Sequence, residues 1–292
     1  MRFDPNQLAA LGAVLRFGSF EQAAHALAVT PSAISQRIKA LEDRVGTTLV
    51  RRGTPCLGTE AGIRIAKHGE DVALLEAAVS RDLQLAPTAD PARVTVAITA
   101  DSLATWFLPV MSACDDILFD LVLDDQDHSA DWMQRGEVSA AVCARQKPVT
   151  GCDAFALGSL RYVATASPGY HARWFKDGVT ADSLAQAPCL IFNAKDQLQT
   201  RWMEQNGISG VRPPAHFVPS AQAFVEASEA GIGWGMNPEP LVREALAAGR
   251  LVPLIPGRSL PVPLSWQVSR VMAPALAQVT RAVLHSAADY LE

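Results

Sequence analysis

The feature that most constrains this 292-residue chain lies in its first third. Ala61, Ile65, His68, Val72, Leu75 and Val79 recur at spacings of 4, 3, 4, 3 and 4. That is the seam of one long α-helix, running from Thr59 to about Leu83, with His68 as its single polar interruption. A helix with one apolar stripe cannot bury that stripe on itself. It needs either the body of its own chain or a second copy, and a dimer is the simpler source. The segment Leu85-Ala86-Pro87-Thr88-Ala89-Asp90-Pro91 then reads as a hinge. The seam therefore divides the chain into a head (residues 1–58), a rod (59–86) and a body (92–292).

The head reads as short helices. Leu8, Leu11, Val14 and Leu15 fall at helical spacing, and Gly18-Ser19 breaks the run. Ser19 is a plausible N-cap for a second helix from Phe20 to about Leu27. Thr30 caps a third helix, from Pro31 to Val45, and Gly46 ends it. Ala33, Ile34, Ile38 and Leu41 give that helix an inner face. Ser32, Ser35, Gln36 and Lys39 cluster on the outer side, with Pro31 at its start and Arg37 adjoining. Two helices joined by a tight turn, the second polar on its outer face, form a helix-turn-helix. Gln reads adenine bidentately, Ser meets several base edges, and Arg and Lys meet guanine or phosphate. Arg51 and Arg52 follow on a hairpin-like wing, placed for backbone phosphates. The competing reading is a solvated helix face with two stray arginines.

Charge supports a polyanion partner for the head alone. Residues 1–60 carry seven Lys/Arg against five Asp/Glu, whereas the remainder carries 18 against 25, within a total of −5. Other classes find no support. No apolar run reaches the about eighteen residues of a membrane span. Asp4, Arg16 and Glu21 make the N-terminus a poor secretory signal, so a cytoplasmic protein is expected. Five cysteines at wide spacing suggest reduced thiols rather than a disulfide framework or zinc site. No metal spacing, nucleophile elbow or dinucleotide loop occurs, so neither an enzyme nor a cofactor is expected.

Here a resemblance becomes specific. The stretch FGSFEQAAHALAVTPSAISQRIKALEDRVGTTLVRR resembles the N-terminal domain of the LysR-type transcriptional regulators. The matching parts include Ala23-Ala24, Val29-Thr30, Ser35, Ile38, Leu41-Glu42 and Gly46, followed by Thr59-Glu60-Ala61-Gly62 at the start of the linker helix. Two positions depart from the pattern. Pro31-Ser32 stand where the family often has Gln-Pro, and Gly58 stands in a usual Leu position. The resemblance implies a winged helix-turn-helix, a dimerising linker helix and a periplasmic-binding-protein-like effector domain. It also implies double-stranded promoter DNA and RNA polymerase as partners, and a homodimer or homotetramer.

From Arg93 the chain alternates strand and helix patterns, which implies an α/β body of mostly parallel sheets. Two such sheets with a cleft between them suit a small ligand. The implied halves are subdomain I, about 92–161 and 266–292, and subdomain II, about 162–265. Asp101 and Ser102 follow the first body strand, and Asp124-Asp125-Gln126-Asp127 follow the next. Ligands of such sheets bind at strand C-terminal ends. Carboxylates at Asp101, Asp125 and Asp127, with Thr105 nearby, favour a cationic ligand. Helix N-termini at Ser102 and Ser220 offer N–H groups to a carboxylate. Lysine and arginine carry both kinds of group. The alternative is a set of solvated loop aspartates.

ADSLATW, at residues 100–106, is similar to the ArgP/LysG branch of the family, as are Arg135-Gly136-Glu137-Val138 and Ala223-Phe224-Val225. That similarity implies a lysine, arginine or histidine effector and an amino-acid exporter gene as target. It also implies effector contacts at Ser102 and Gln126. The alternatives are a LysR-type regulator of another metabolite, or an architectural or replication-origin DNA-binding protein.

Overall fold

The computed structural model describes residues 2–85, 91–123, 129–144 and 147–292. In the head, α1 (Pro5–Phe17) is capped by Asp4, whose carboxylate accepts from Asn6 N–H at 2.8 Å. Ser19 caps α2 (Phe20–Ala26) and Thr30 caps α3 (Pro31–Val45), its Oγ1 accepting from Ala33 N–H at 3.2 Å. Leu11 and Val14 of α1, Ala23 and Ala24 of α2, and Ile34, Ile38 and Leu41 of α3 share one small core with Leu49. The wing follows as an antiparallel pair, β1 (Val50–Arg51) and β2 (Leu57–Gly58). Glu42 fastens it to α3 by accepting from Leu49 N–H at 2.7 Å.

The rod is α4 (Glu60–Asp82), capped by Thr59. It has two working faces. The seam read from the sequence is covered by its own chain only at its start, where Ala61 and Ile65 pack on the head core; further along, its Leu75 and Val79, with Leu83 beyond, remain 36%, 56% and 63% exposed. The covered face instead carries Gly62, Lys67 and Leu74. Adjacent residues of a helix point about 100° apart, so Leu74 packs inward while Leu75 faces out. The spacing thus identifies a stripe still open to another partner.

The inner face of α4 is fixed to the body by polar contacts. Lys67 is buried; its ammonium pairs with Asp71 one turn on and donates to Ser139 Oγ at 2.6 Å. Thr95 Oγ1 donates to Glu70 at 2.9 Å, and Arg16 from the head reaches the same carboxylate at 3.8 Å. Burial pushes the Glu70 carboxyl above the usual carboxylate range. Replacing Lys67 by alanine leaves Asp71 and Ser139 without their cation. The expected loss is about 3 kcal/mol of unfolding free energy, measured by urea denaturation.

The body begins with β3 (Ala92–Ile98) and a helix that changes its winding. After α5 (Ala100–Ser102) comes a π turn over Leu103–Phe107, then α6 (Leu108–Ser112). Pro109 lacks an N–H and cannot close a regular turn onto residue 105, so the helix widens before it. Trp106 and Phe107 are fully buried there, so Trp106 is core. Next come β4 (Ile117–Leu123), α7 (Ser129–Arg135), β5 (Ala140–Cys143) and the 15-residue β6 (Cys152–Ala166). The chain continues through α8 (Pro168–Trp174), α9 (Ala181–Gln186), β7 (Cys189–Ile191), α10 (Leu198–Gln205) and β8 (Ala215–Phe217). It then forms α11 (Ala221–Glu229), β9 (Gly235–Pro238), α12 (Glu239–Ala247), β10 (Val252–Pro253), β11 (Ser259–Ser269) and α13 (Ala277–Tyr290).

The sheet arrangement corrects the expectation of two mostly parallel sheets. Seven strands form one sheet in the order β10-β6-β11-β5-β3-β4, with β9 also on β6. β3 is parallel to β4 and β5, but β6 pairs antiparallel with β9, β10 and β11, and β11 with β5. The reason lies in β6 and β11. They pair from Ser269↔Cys152 to Ser259↔Val163, with an irregularity at Leu264/Ser265. One strand carries the chain out along the sheet and the other brings it back, so they must run in opposite directions. A second, parallel pair, β7–β8, joins the rest through a bridge between Cys189 and Trp234.

A winged helix and a carboxylate-bearing cleft

On the head, α3 separates its two roles by face. Ile34, Ile38 and Leu41 are buried, while Pro31, Ser32, Gln36 and Lys39 are exposed and Ser35 and Arg37 half-buried. Residues 32, 36 and 39 share one side at helical spacing. Arg51 and Arg52 are exposed on the wing. Arg51 donates to the Gly58 carbonyl at 3.3 Å, and the Arg52 guanidinium lies 5.3 Å from the centre of the Phe20 ring. Both cations are thus tied to neighbours within the head, Arg51 to the second wing strand and Arg52 to α2.

The body holds a solvent-open cleft, about 700 Å³ when the open solvent at its mouth is included. One wall is the turn from β3 into α5, with Thr99, Ala100 and Asp101. The facing wall comes from the loop after β7 and from α10, with Phe192, Lys195, Asp196 and Arg201. Ala221 and Phe224 of α11 and Met236–Pro238 of β9 complete it.

Asp101 is the chemical centre of the first wall. Tyr162 on β6 donates to its Oδ2 at 2.7 Å. Burial pushes its carboxyl up to about 6; the Tyr162 hydroxyl opposes the rise, and Asp196 across the cleft adds to it. A carboxylate poised this way gains most from a cation that enters the cleft. Asp196 is tied down by its own loop, accepting from Phe192 N–H at 3.0 Å and Leu198 N–H at 2.9 Å. Lys195 and Arg201 bring positive charge to the same wall. The cleft therefore offers partners to a ligand carrying both signs of charge.

The other residues singled out from the sequence fall in three places. Ser102 and Thr105 sit behind Asp101 rather than in the lining. Ser102 is fully buried and accepts from Thr99 Oγ1 at 2.9 Å, while Thr105 Oγ1 donates to the Asp101 carbonyl at 2.6 Å. Both hold the turn that presents Asp101. Ser220 is exposed and caps α11, its Oγ accepting from Ala223 N–H at 3.3 Å; its neighbour Ala221 reaches the cleft. Asp125, Gln126 and Asp127 lie outside the described residues. Sequence reasoning missed Lys195, Asp196, Arg201 and Asn237. Asp196 follows a strand end, so the rule that nominated Asp101 also reaches it. Among the described residues, no helix is long and apolar enough to cross a membrane, and no group of His, Cys, Asp and Glu is arranged to hold a metal ion.

A winged helix with a polar recognition face, joined by a rod to a ligand-sized cleft, defines a DNA-binding protein with a sensor domain. The comparisons agree. Residues 5–63 match the bacterial regulatory helix-turn-helix protein model of the lysR family, and residues 88–288 match the LysR substrate binding domain. The HTH-type transcriptional regulator LysG of Mycobacterium tuberculosis is 42% identical over 282 residues, covering 97% of this chain and 93% of that one. The crystal structure of ArgP from Mycobacterium tuberculosis superposes with a TM-score of 0.79 at 40% identity, covering 100% of this chain and 99% of the other. Full-length LysG from Corynebacterium glutamicum with bound effector arginine gives a TM-score of 0.66 at 36% identity, over 99% and 100% of the two chains. The chain belongs to the LysR family of transcriptional regulators, and its relatives are regulators, not enzymes.

Proposed function

We propose that this regulator senses a basic amino acid, arginine or lysine, in the cleft of its body. The observation that carries the reading is Asp101: a half-buried carboxylate lining the cleft, raised to about 6, that a ligand cation would hold fully ionised. Lys195 and Arg201 supply the complement for the ligand's carboxylate. The bound arginine of the Corynebacterium glutamicum LysG supports the choice of ligand. Residues 1–58 read DNA, 59–86 link and dimerise, and 92–292 bind the effector. Dimerisation uses the stripe of Leu75, Val79 and Leu83 left open on α4. Two heads then reach successive major grooves. The promoter of an amino-acid exporter gene is the target, read together with RNA polymerase. The effector shifts the regulator between two states only as far as it binds one better than the other.

The test is fluorescence anisotropy on a duplex selected from a random pool. Saturating arginine or lysine changes the affinity or the protected footprint, and glutamate does not. Identical binding with and without every amino acid contradicts effector control and favours an architectural DNA binder. On the same duplex, Gln36→Ala costs about 1–3 kcal/mol against the selected site and little on random DNA. Arg51→Ala weakens both about equally and lowers the salt slope by about 1.

A further inference from the structure

Asn237 sits in β9, is fully buried and is one of the residues lining the cleft. Its amide nitrogen is doubly engaged, donating to Thr165 Oγ1 of β6 at 2.9 Å and to Ser228 Oγ of α11 at 3.1 Å. Its amide oxygen has no hydrogen-bond partner among the described residues. The orientation of the amide follows from the network. Ser228 has one hydroxyl proton and gives it to the Phe224 carbonyl at 3.0 Å, so its oxygen must accept from Asn237. Turning the amide over would set oxygen against oxygen there. Nitrogen therefore stays inward, and oxygen stays the unused end.

A buried acceptor without a donor is costly, and native proteins seldom keep one. The expense is removed when a bound molecule donates to it. We propose that Asn237 Oδ1 accepts a hydrogen bond from an N–H of the bound amino acid, making Asn237 a specificity-determining residue of the sensor. This rests on the reading of the cleft as a basic-amino-acid site. Asp101 and Asn237 belong to different walls, so a ligand rich in N–H donors at both ends meets an acceptor on each. A ligand offering oxygen acceptors at that point leaves Oδ1 unpaired and is rejected.

The test is calorimetric titration of the full-length protein with arginine, using wild type and Asn237→Leu. The leucine variant removes the acceptor at similar volume and weakens Kd by about tenfold to a hundredfold. Arginine binding undiminished in a folded Asn237→Leu protein overturns the assignment but leaves the sensor reading intact. Failure of the wild type to bind arginine or lysine overturns both. Should the leucine variant not fold, a crystal structure of the wild type with arginine decides. A ligand nitrogen within about 3.2 Å of Oδ1 supports the assignment, and ligand nitrogens all beyond about 4 Å refute it.

Discussion

Changing Asp101 to asparagine weakens arginine binding by about thirtyfold or more and leaves DNA binding by the isolated regulator intact. The substitution keeps the shape of the side chain and its contact with Tyr162, but removes the charge that faces the cleft. Loss of one partner from a desolvated charge pair costs about 2 kcal/mol or more, which sets the fold-change. The same carboxyl gives the binding a pH dependence of definite sign. Its folded value, about 6, lies above the ordinary 3.8. In the free protein the folded state therefore holds more protons than the unfolded state between those values. Its contribution to stability is fully present below 3.8 and is lost as pH rises through about 6. Arginine, in contrast, needs the ionised form. Its affinity is at its plateau above pH 7 and falls about tenfold by pH 5. Asparagine imitates the neutral acid, so the free variant melts no lower than wild type at pH 7.5. Calorimetry and thermal denaturation at the two pH values check both statements. A variant that keeps wild-type arginine affinity removes Asp101 from the site.

Gly62→Ala, a change that helps most helices, destabilises this protein by about 3 kcal/mol. Alanine in a helix interior ordinarily gains about 1 kcal/mol over glycine. Here the added methyl would stand 2.0 Å from the Leu49 carbonyl oxygen and 2.9 Å from its carbon. Neither atom belongs to a flexible side chain. The Leu49 carbonyl is also the acceptor for Thr59 N–H at 3.0 Å, so the first turn of α4 rests directly on the strand leading into the wing. Relieving the clash moves the rod off the head, and DNA affinity falls with stability. Gly12, inside α1, has nothing but its own helix backbone within 4 Å of the equivalent methyl among the described residues. Gly12→Ala is therefore expected to stabilise slightly. Urea denaturation of the two variants distinguishes a specific close approach from a general intolerance of alanine.

The head and rod were largely legible because their signals are local. Ser19 and Thr30 cap the helices they were expected to cap, and the rod, expected from Thr59 to about Leu83, spans Glu60–Asp82 with Thr59 as its cap. The body was less legible because its two organising strands disguise themselves. β6 contains Gly158 and a mixed polar pattern, which hides its full length from a reading by alternation. β11 contains Pro261 and Pro263, residues that argue against a strand across its first half. Both prolines precede the stretch paired with β5, and their nitrogens share one side of the strand. A proline is tolerated where no second strand needs its N–H. In the cleft, Asp101 was found by its place after a strand. Lys195, Arg201 and Asn237 reach the same cavity through tertiary packing that no local pattern encodes. Asn237 gave one weak signal, a lone amide in the short run Gly235-Met236-Asn237-Pro238.

The most direct measurement is calorimetric titration of the wild-type protein with arginine, lysine and glutamate at pH 7.5 and pH 5. Saturable binding of arginine or lysine, weaker at pH 5, with no response to glutamate, is the expected result. Binding of glutamate in preference to both basic amino acids, or of none of the three, contradicts the assignment of the cleft as a basic-amino-acid sensor.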